Sequence, residues 1–281
     1  MTAATMSEDR EPTASDRGDE GYEGEYSRHE RLVLGALAVA IFLIAWETIS
    51  RAGTLAPIFM SSPTAIGAAA QRMWASGELA EHLRVSGVEF FWGYLLAVVT
   101  GVPLGLATGW YRRLNFVLDP FLSAFNATPR VALLPLIILW IGVGLWSKVA
   151  VIFLGAIFPI WMNVNAGVKT VEHVYLRVAR SFLADDARIF RTIVLPSCVP
   201  FILAGMRLAV GRALVGVVVG ELYAASAGVG FLIIVAGATF QTDKVFVGIG
   251  IIAAFGVLCN ELLSKAERKF ESWRPKVGAA Q

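Results

Sequence analysis

Long uncharged runs separated by short charged segments are the dominant pattern of this chain. The uncharged runs cover 32–46, 90–111, 131–147, 149–168, 192–206, 222–242 and 245–260. A membrane-crossing helix needs about 20 mainly apolar residues, because it rises about 1.5 Å per residue through a hydrocarbon core about 30 Å thick. The pattern predicts an all-α, polytopic membrane protein without a soluble domain.

The basic residues orient these runs across the membrane. They cluster in the N-terminal tail, at 112–113, between 169 and 191, and from 265 to 276, and these clusters hold 16 of the 24 Lys and Arg residues. Placing all four clusters in the cytoplasm satisfies the positive-inside rule, because only five basic residues then lie outside. Both termini are therefore predicted to be cytoplasmic.

Consecutive cytoplasmic clusters need an even number of crossings between them, which predicts six transmembrane helices. The spans are 32–46, 90–111, about 117–142, 149–168, about 198–220 and 244–262. The run 222–242 is then surplus, and its Gly228 and Gly230 favour a re-entrant element before the last span. A seventh span is the alternative, which would move the C-terminal tail outside. In the longest external loop, 54–85, a turn at 62–64 precedes a short helix.

Composition divides the chain into three parts. Residues 1–31 hold nine acidic residues and four arginines without apolar periodicity, which is typical of a disordered cytoplasmic tail. This acidic segment does not fit a signal peptide, so the first apolar run is expected to stay as a span. Residues 32–265 form the transmembrane domain, with a charged loop at 170–196, and residues 266–281 form a basic cytoplasmic tail.

The segment LRVARSFLADDARIFRTIVLP, residues 176–196, carries six charges between two apolar runs. On an ideal helix, the apolar face holds Val178, Phe182, Ile189 and Ile193, and the opposite face holds Arg177, Arg180, Arg188 and Arg191. One interpretation is an amphipathic helix on the lipid surface. The other is a docking surface for a cytoplasmic protein, which Asp185 and Asp186 favour because acids gain nothing from an anionic membrane.

This segment resembles the cytoplasmic loop of ABC importer permeases of the binding-protein-dependent type. The family motif reads Glu-Ala-Ala, three residues, Gly, about nine residues, then an aliphatic residue and Leu-Pro. Here the Leu-Pro at 195–196 and Ala179 match the motif. Arg177 and Val178 replace its Glu and first Ala, and Leu183 replaces its Gly.

The flanking runs strengthen the resemblance. PRVALLPLIILWIGVGLWSKV (129–149) and FILAGMRLAVGRALVGVVVGELYAASAGVGFLI (201–233) are similar to the branch that imports nitrate, sulfonates, taurine and related small anions. The likeness covers about 55–265 and implies a type I ABC importer permease fold in a bacterial inner membrane.

The resemblance also implies partners and a coupling loop. The partners are a cytoplasmic ABC ATPase dimer, a second permease copy (a homodimer), an extracytoplasmic substrate-binding protein and membrane lipids, without nucleic acid. Because the P-loop motif G-x-x-x-x-G-K-[ST] is incomplete in GVGLWSK (142–148), we expect no cofactor here and ATP-Mg on the partner ATPase. The residues implied in coupling are Arg177, Ala179, Arg180, Phe182, Leu183, Ala184, Asp185, Asp186, Arg188 and Phe190.

Arg130 is the most informative polar residue inside a predicted span. It follows Pro129 and lies one turn after Asn126. An arginine lining the pathway would suit an anionic solute, whereas the alternative is a structural arginine bonded to carbonyls that a kink at Pro129 frees. Trp161 and Asn163 are the other pathway candidates.

Three further charged residues in apolar runs are interpreted as structural. Arg207 and Arg212 are expected to brace the inner end of the fifth span, and Glu221 is expected to cap its outer end or pair with a basic residue.

Two other functional classes remain open on residues alone. A stand-alone secondary carrier or channel would show related halves and midplane carboxylates, and the sequence has no convincing repeat. A membrane enzyme would need a nucleophile, metal cluster or carboxylate pair. The three histidines are scattered, and Cys198 and Cys259 are interpreted as packing residues, so neither catalysis nor a metal site is expected.

Overall fold

The structure is a computed structural model that describes residues 28–52 and 60–270. It divides into two units, residues 1–54 and 55–281. In the described ranges, the helices are α1 (Arg28–Arg51), α2 (Pro63–Ala75), α3 (Glu78–Trp110), α4 (Arg112–Ala127), α5 (Arg130–Ile141), α6 (Leu145–Lys169), α7 (His173–Ser181), α8 (Asp186–Ile189), a π-helical turn (Phe190–Val194), α9 (Leu195–Ala224), α10 (Val229–Ala238) and α11 (Thr242–Phe270).

The first unit contributes one membrane-length helix, α1. Its apolar segment Val33–Arg51 is long enough to cross a bilayer. The predicted span 32–46 was too short, because Glu47 pairs with Arg51 one turn later and the helix continues through both. Most of the predicted tail 1–31 lies outside the described residues.

The second unit holds the remaining membrane-length helices. Four are continuous: α3, α6, the run Asp186–Tyr223 through α8, the π-helical turn and α9, and α11. Helices α4 and α5 reach membrane length only as a pair, and they bend by 99° at a short break. Counting that pair as one broken span, the described residues agree with the six predicted spans.

The break between α4 and α5 falls at a proline, where the sequence predicted a kink. Thr128 ends α4 in extended backbone, and Pro129, which has no N–H to donate, precedes α5. The predicted single helix over 117–142 is therefore two helices.

The surplus apolar run before the last span is short, as predicted. Helix α10 has 10 residues, about 15 Å, which is half a bilayer core. Gly228 (φ 129°) turns the chain into it, and its buried side chains include Val229, Leu232 and Ala236. The run is thus a half-length element and not a seventh span.

The external loop is shorter than predicted. Ser62 caps α2 by accepting a hydrogen bond from the Ala65 N–H, which confirms the predicted turn and short helix. However, α3 begins at Glu78, within the predicted loop, directly after Gly77, whose left-handed backbone (φ 80°) separates it from α2. The loop's last residues therefore belong to a 33-residue helix.

The core is a close contact between α3 and α6. Small residues recur every fourth position along α3, and branched or small residues do so along α6: Gly93, Ala97, Gly101, Gly105 and Gly109 face Ile152, Ala156, Ile160, Val164 and Val168. A Cβ at Gly105 would lie 2.6 Å from the Val164 Cβ. Such stripes allow helix backbones to approach closely in membranes, where packing and not the hydrophobic effect drives association.

Candidate functional sites

A bent segment between α6 and α9 carries the predicted coupling residues. Helix α7 ends at Ser181, and the next helix, α8, begins at Asp186. The Ala184 N–H donates to the Ala179 carbonyl, and Leu183 takes a left-handed conformation with φ 56°. A left-handed residue is the usual way to end a helix and reverse its direction, and glycine adopts it most easily. The segment therefore makes the sharp turn although leucine stands where the motif has glycine.

Two large apolar side chains at the turn are exposed on the surface of the chain. Phe182 is 82% exposed and Leu183 is 93% exposed. The side chains of Arg177, Arg180 and Arg188, which are close in sequence, are also exposed. We call Phe182 and Leu183 the apolar tip. Exposed apolar side chains close to charged side chains are typical of a protein-docking surface.

The apolar residues of this segment do not form one continuous face, because the chain bends between α7 and α8. Ile189 is fully buried, and Ile193 packs beside Val194 and Cys198. Phe190 packs edge-on against Trp110, with 5.5 Å between ring centroids. The bend therefore divides the apolar residues into two groups. Those after the bend pack against the rest of the protein, and those at the tip remain exposed.

Asp185 and Asp186 have local partners. The Asp185 carboxylate accepts a hydrogen bond from the Arg188 N–H at 3.0 Å and so caps α8. Asp186 lies 3.9 Å from Arg180, and both are exposed. Sequence reasoning missed the cap, although an aspartate before a short helix is its ordinary signal. A charge reversal at Asp185 would disturb the helix as well as any docking surface.

Arg130 and Asn126 meet across the α4–α5 break. The Arg130 guanidinium donates to Asn126 Oδ1 at 3.0 Å and lies 5.6 Å from the centre of the Phe158 ring. Its Nε is buried without a hydrogen-bond partner in the described structure. The guanidinium is therefore only partly satisfied.

The side chains of the other two pathway candidates form hydrogen bonds within the helix bundle. Trp161 is 5% exposed, and its Nε1–H donates to Thr108 Oγ1 at 2.9 Å. Asn163 donates to the Pro159 carbonyl at 2.8 Å, one turn back on α6. The structure does not bring either residue together with Arg130 and Asn126 in one hydrogen-bonded group.

The residues interpreted as structural differ in their contacts. Arg207 pairs with Glu267 at 2.9 Å and donates to Ser264. Arg212 is exposed, and its side chain makes no ion pair or hydrogen bond with the described residues. A charge at mid-bilayer costs at least about 2.5–3.5 kcal/mol on insertion scales, so Arg212 needs an environment that the isolated chain does not supply.

Glu221 ties α3 to the turn before α10. Its carboxylate accepts hydrogen bonds from Ser86 Oγ and the Gly230 N–H, both at 2.5 Å. Ser86 Oγ in turn accepts from the Val229 N–H, and His82 Nδ1 accepts from the Gly228 N–H. These bonds hold the non-helical backbone at the start of the half-length element, which needs internal partners inside a membrane.

Sequence reasoning missed a buried ion pair between α3 and α6. Lys148 Nζ lies 2.7 Å from Glu89 Oε1, and both side chains are almost fully buried. The partners are 59 residues apart, so neither spacing nor periodicity indicated the contact. Removing one partner of such a pair would leave an uncompensated buried charge. The pair therefore holds α3 and α6 together.

A metal site is not indicated in the described residues. No group of three or more His, Cys, Asp or Glu side chains there is close enough to hold an ion. Cys198 is buried and Cys259 is half-buried, and both are free thiols.

Comparison with known proteins places this architecture among transport proteins. Residues 101–270 match the family described as binding-protein-dependent transport system inner membrane component. The chain is 35% identical to the aliphatic sulfonates transport permease SsuC of Bacillus subtilis (strain 168), covering 85% of this chain and 87% of that protein. It is 32% identical to the taurine transport system permease TauC of Escherichia coli (strain K12), covering 89% and 92%.

The fold has solved counterparts. A structure of the MetNI methionine ABC transporter in an inward-facing conformation superposes with a TM-score of 0.62, covering 70% of this chain and 97% of the matched chain. The two sequences are 16% identical, so this likeness concerns the fold.

Proposed function

The chain belongs to the family of binding-protein-dependent transport system inner membrane components, and from that premise we propose that its importer carries a small organosulfonate anion. As a member of this family, the chain is a membrane subunit of an ABC importer and a multi-pass protein of the inner membrane. The observation that carries the substrate class is the 32–35% identity to sulfonate and taurine permeases over most of both chains.

The proposed complex has two further kinds of subunit besides a second copy of this chain. A second copy of this chain completes the pathway, two cytoplasmic ATPases bind ATP-Mg, and an extracytoplasmic protein delivers the solute. Both termini of this chain and the segment 170–196 lie in the cytoplasm. The basic residues of that segment support this orientation.

The apolar tip is the proposed contact with the ATPase. Phe182 and Leu183 enter an apolar groove on the ATPase, and the surrounding arginines set register through complementary charge. The pathway-facing candidates from the sequence are Asn126, Arg130, Trp161 and Asn163, of which Asn126 and Arg130 keep the strongest support because their groups adjoin.

Force would pass from the tip to the membrane through continuous helix. Helix α8, the π-helical turn and α9 form one 38-residue run from Asp186 to Tyr223. Ile189 and Phe190 pack against the protein at the beginning of this run. A displacement of the tip would therefore move the cytoplasmic end of a continuous helix. A π-helical turn is a frequent feature of functional helix segments, and here it lies between the docking surface and the span.

Reconstituted transport tests the proposed function. We expect proteoliposomes with this chain, its ATPase and its binding protein to accumulate labelled taurine or a linear alkanesulfonate at least about ten-fold faster with ATP than with a non-hydrolysable analogue. Leucine serves as the zwitterionic control without a sulfonate group. Sulfonate uptake by this chain alone without ATP would instead identify a secondary carrier.

A further inference from the structure

Two arginines lie in the membrane without a carboxylate partner in the described structure. Arg130 has one side-chain hydrogen bond, to the neutral Asn126, and Arg212 has none. The described ion pairs involve neither residue. Arg207, one and a half turns before Arg212 on α9, shows the contrast, because it is paired with Glu267.

Both arginines contact the same stretch of helix α6. The Arg130 guanidinium lies over Phe158, and the Arg212 backbone contacts α6 at Gly155, where a Cβ would lie 2.9 Å from the Arg212 carbonyl oxygen. Gly155 and Phe158 are three residues apart and so share one face of α6.

Arg130 and Arg212 lie equally far from the ends of their helices. Arg130 is 11 residues from the end of α5 at Ile141, and Arg212 is 11 residues from Tyr223. At 1.5 Å per residue, each distance is about 16 Å, roughly half the hydrocarbon core. The two ends lie on the same side, because Val143 and Tyr223 line one cavity.

Arg212 interrupts an apolar exposed face. Leu208 is 58% exposed and Val215 is 60% exposed on the same side of α9. Lipid cannot solvate a guanidinium at this depth, so this side chain must meet water or another protein surface. In the proposed importer, the available surroundings are the pathway between two copies of the chain.

We propose that Arg130 and Arg212 together bind the sulfonate group of the transported anion midway across the membrane. The inference rests on the proposed function. A sulfonate offers three acceptor oxygens and no donor, while a guanidinium is all donor and can bind two oxygens at once. Asn126 holds one edge of Arg130, which leaves its Nε–H without a protein acceptor. Because arginine stays charged, the site needs no proton transfer.

A charge-sensitive labelling experiment tests the site without any sulfonate. In the assembled complex with Cys198→Ala and Cys259→Ala, Arg212→Cys is reacted with anionic and cationic methanethiosulfonate reagents. We expect the anionic-to-cationic rate ratio to fall at least about five-fold when Arg130→Gln is added, because a neighbouring charge is lost. Arg207→Gln is the matched control, since it removes an equal charge from the same helix, and it should leave the ratio unchanged.

Two outcomes of this experiment contradict the proposal. One is an Arg212→Cys thiol that reacts with neither reagent, which would place the residue against lipid or packed protein. The other is a ratio that Arg130→Gln leaves unchanged.

Uptake per assembled complex supplies the second arm. We expect Arg130→Gln and Arg212→Gln each to lower sulfonate uptake at least about ten-fold. The Lys variants should recover only part of it, because they keep the charge and lose the two-oxygen contact of the guanidinium. Leu208→Gln, one turn from Arg212, should keep wild-type uptake. Wild-type uptake in both arginine variants would overturn the anion site, whereas failure of the wild type to import sulfonates would overturn the proposed substrate class and leave the labelling result to stand separately.

Discussion

A single aspartate in place of Phe182 is expected to lower ATP-driven uptake at least about 100-fold, a loss of about 2.7 kcal/mol in coupling. Phe182 is 82% exposed in the free chain, so the substitution removes no internal packing. Its backbone is also unstrained, with φ −86°. The cost arises on docking, because a large aromatic contact is lost and a carboxylate must enter an apolar groove.

Co-purification measures this loss directly. After mild detergent extraction, the ATPase should remain with the wild-type chain and dissociate from Phe182→Asp. Phe182→Leu is the matched control, because it keeps an apolar side chain at the same position, and it should retain the ATPase and most of the uptake. Equal ATPase retention by the aspartate and leucine variants would exclude the apolar tip as the docking surface.

Gly105→Leu is expected to prevent assembly of the folded chain. A Cβ at this position would lie 2.6 Å from the Val164 Cβ and 3.0 Å from the Trp161 carbonyl, so α3 and α6 would have to separate. Overpacking a close helix contact usually costs about 1–3 kcal/mol, and a clash with backbone, which cannot rotate away, lies at the upper end. The buried Glu89–Lys148 pair joins the same two helices and would be strained as well.

Gly87→Leu provides the matched control on the same helix. No atom lies within 4 Å of a Cβ at Gly87, and the change in helix propensity is the same. Fluorescence-detected size-exclusion chromatography should show the yield of monodisperse protein falling at least about five-fold for Gly105→Leu and remaining near wild type for Gly87→Leu. Similar profiles for the two variants would mean that the α3–α6 contact does not set the fold.

The spans were predictable because hydropathy and charge are local properties of the chain. The basic clusters and the proline at 129 gave the number of crossings and the position of the break. The limits of helices were less predictable. Glu78 and Arg84 look like loop residues, yet they belong to α3, whose 33 residues exceed the length that a bilayer core needs. An uncharged run predicts which part of a helix lies in the lipid, and it does not predict the residue at which that helix begins.

The site was only partly predictable, because its decisive contacts join distant segments. The bend at Leu183 follows from the motif, whose glycine position is left-handed here even though leucine occupies it. A non-glycine residue in this conformation costs about 1 kcal/mol, which the hydrogen bonds of the turn offset. By contrast, the contact of Glu89 with Lys148 depends on how the helices pack, and no spacing in the sequence indicates this pair.

The sidedness of the apolar tip is the most direct test of the account. In the chain with Cys198→Ala and Cys259→Ala, Leu183→Cys should react with a membrane-impermeant thiol reagent in inside-out vesicles and not in right-side-out vesicles. Added ATPase should protect it, since the tip would then be covered. Labelling of Leu183→Cys in right-side-out vesicles would place the tip on the outer face of the membrane. A cytoplasmic ATPase could not bind it there, and the proposed coupling would be contradicted.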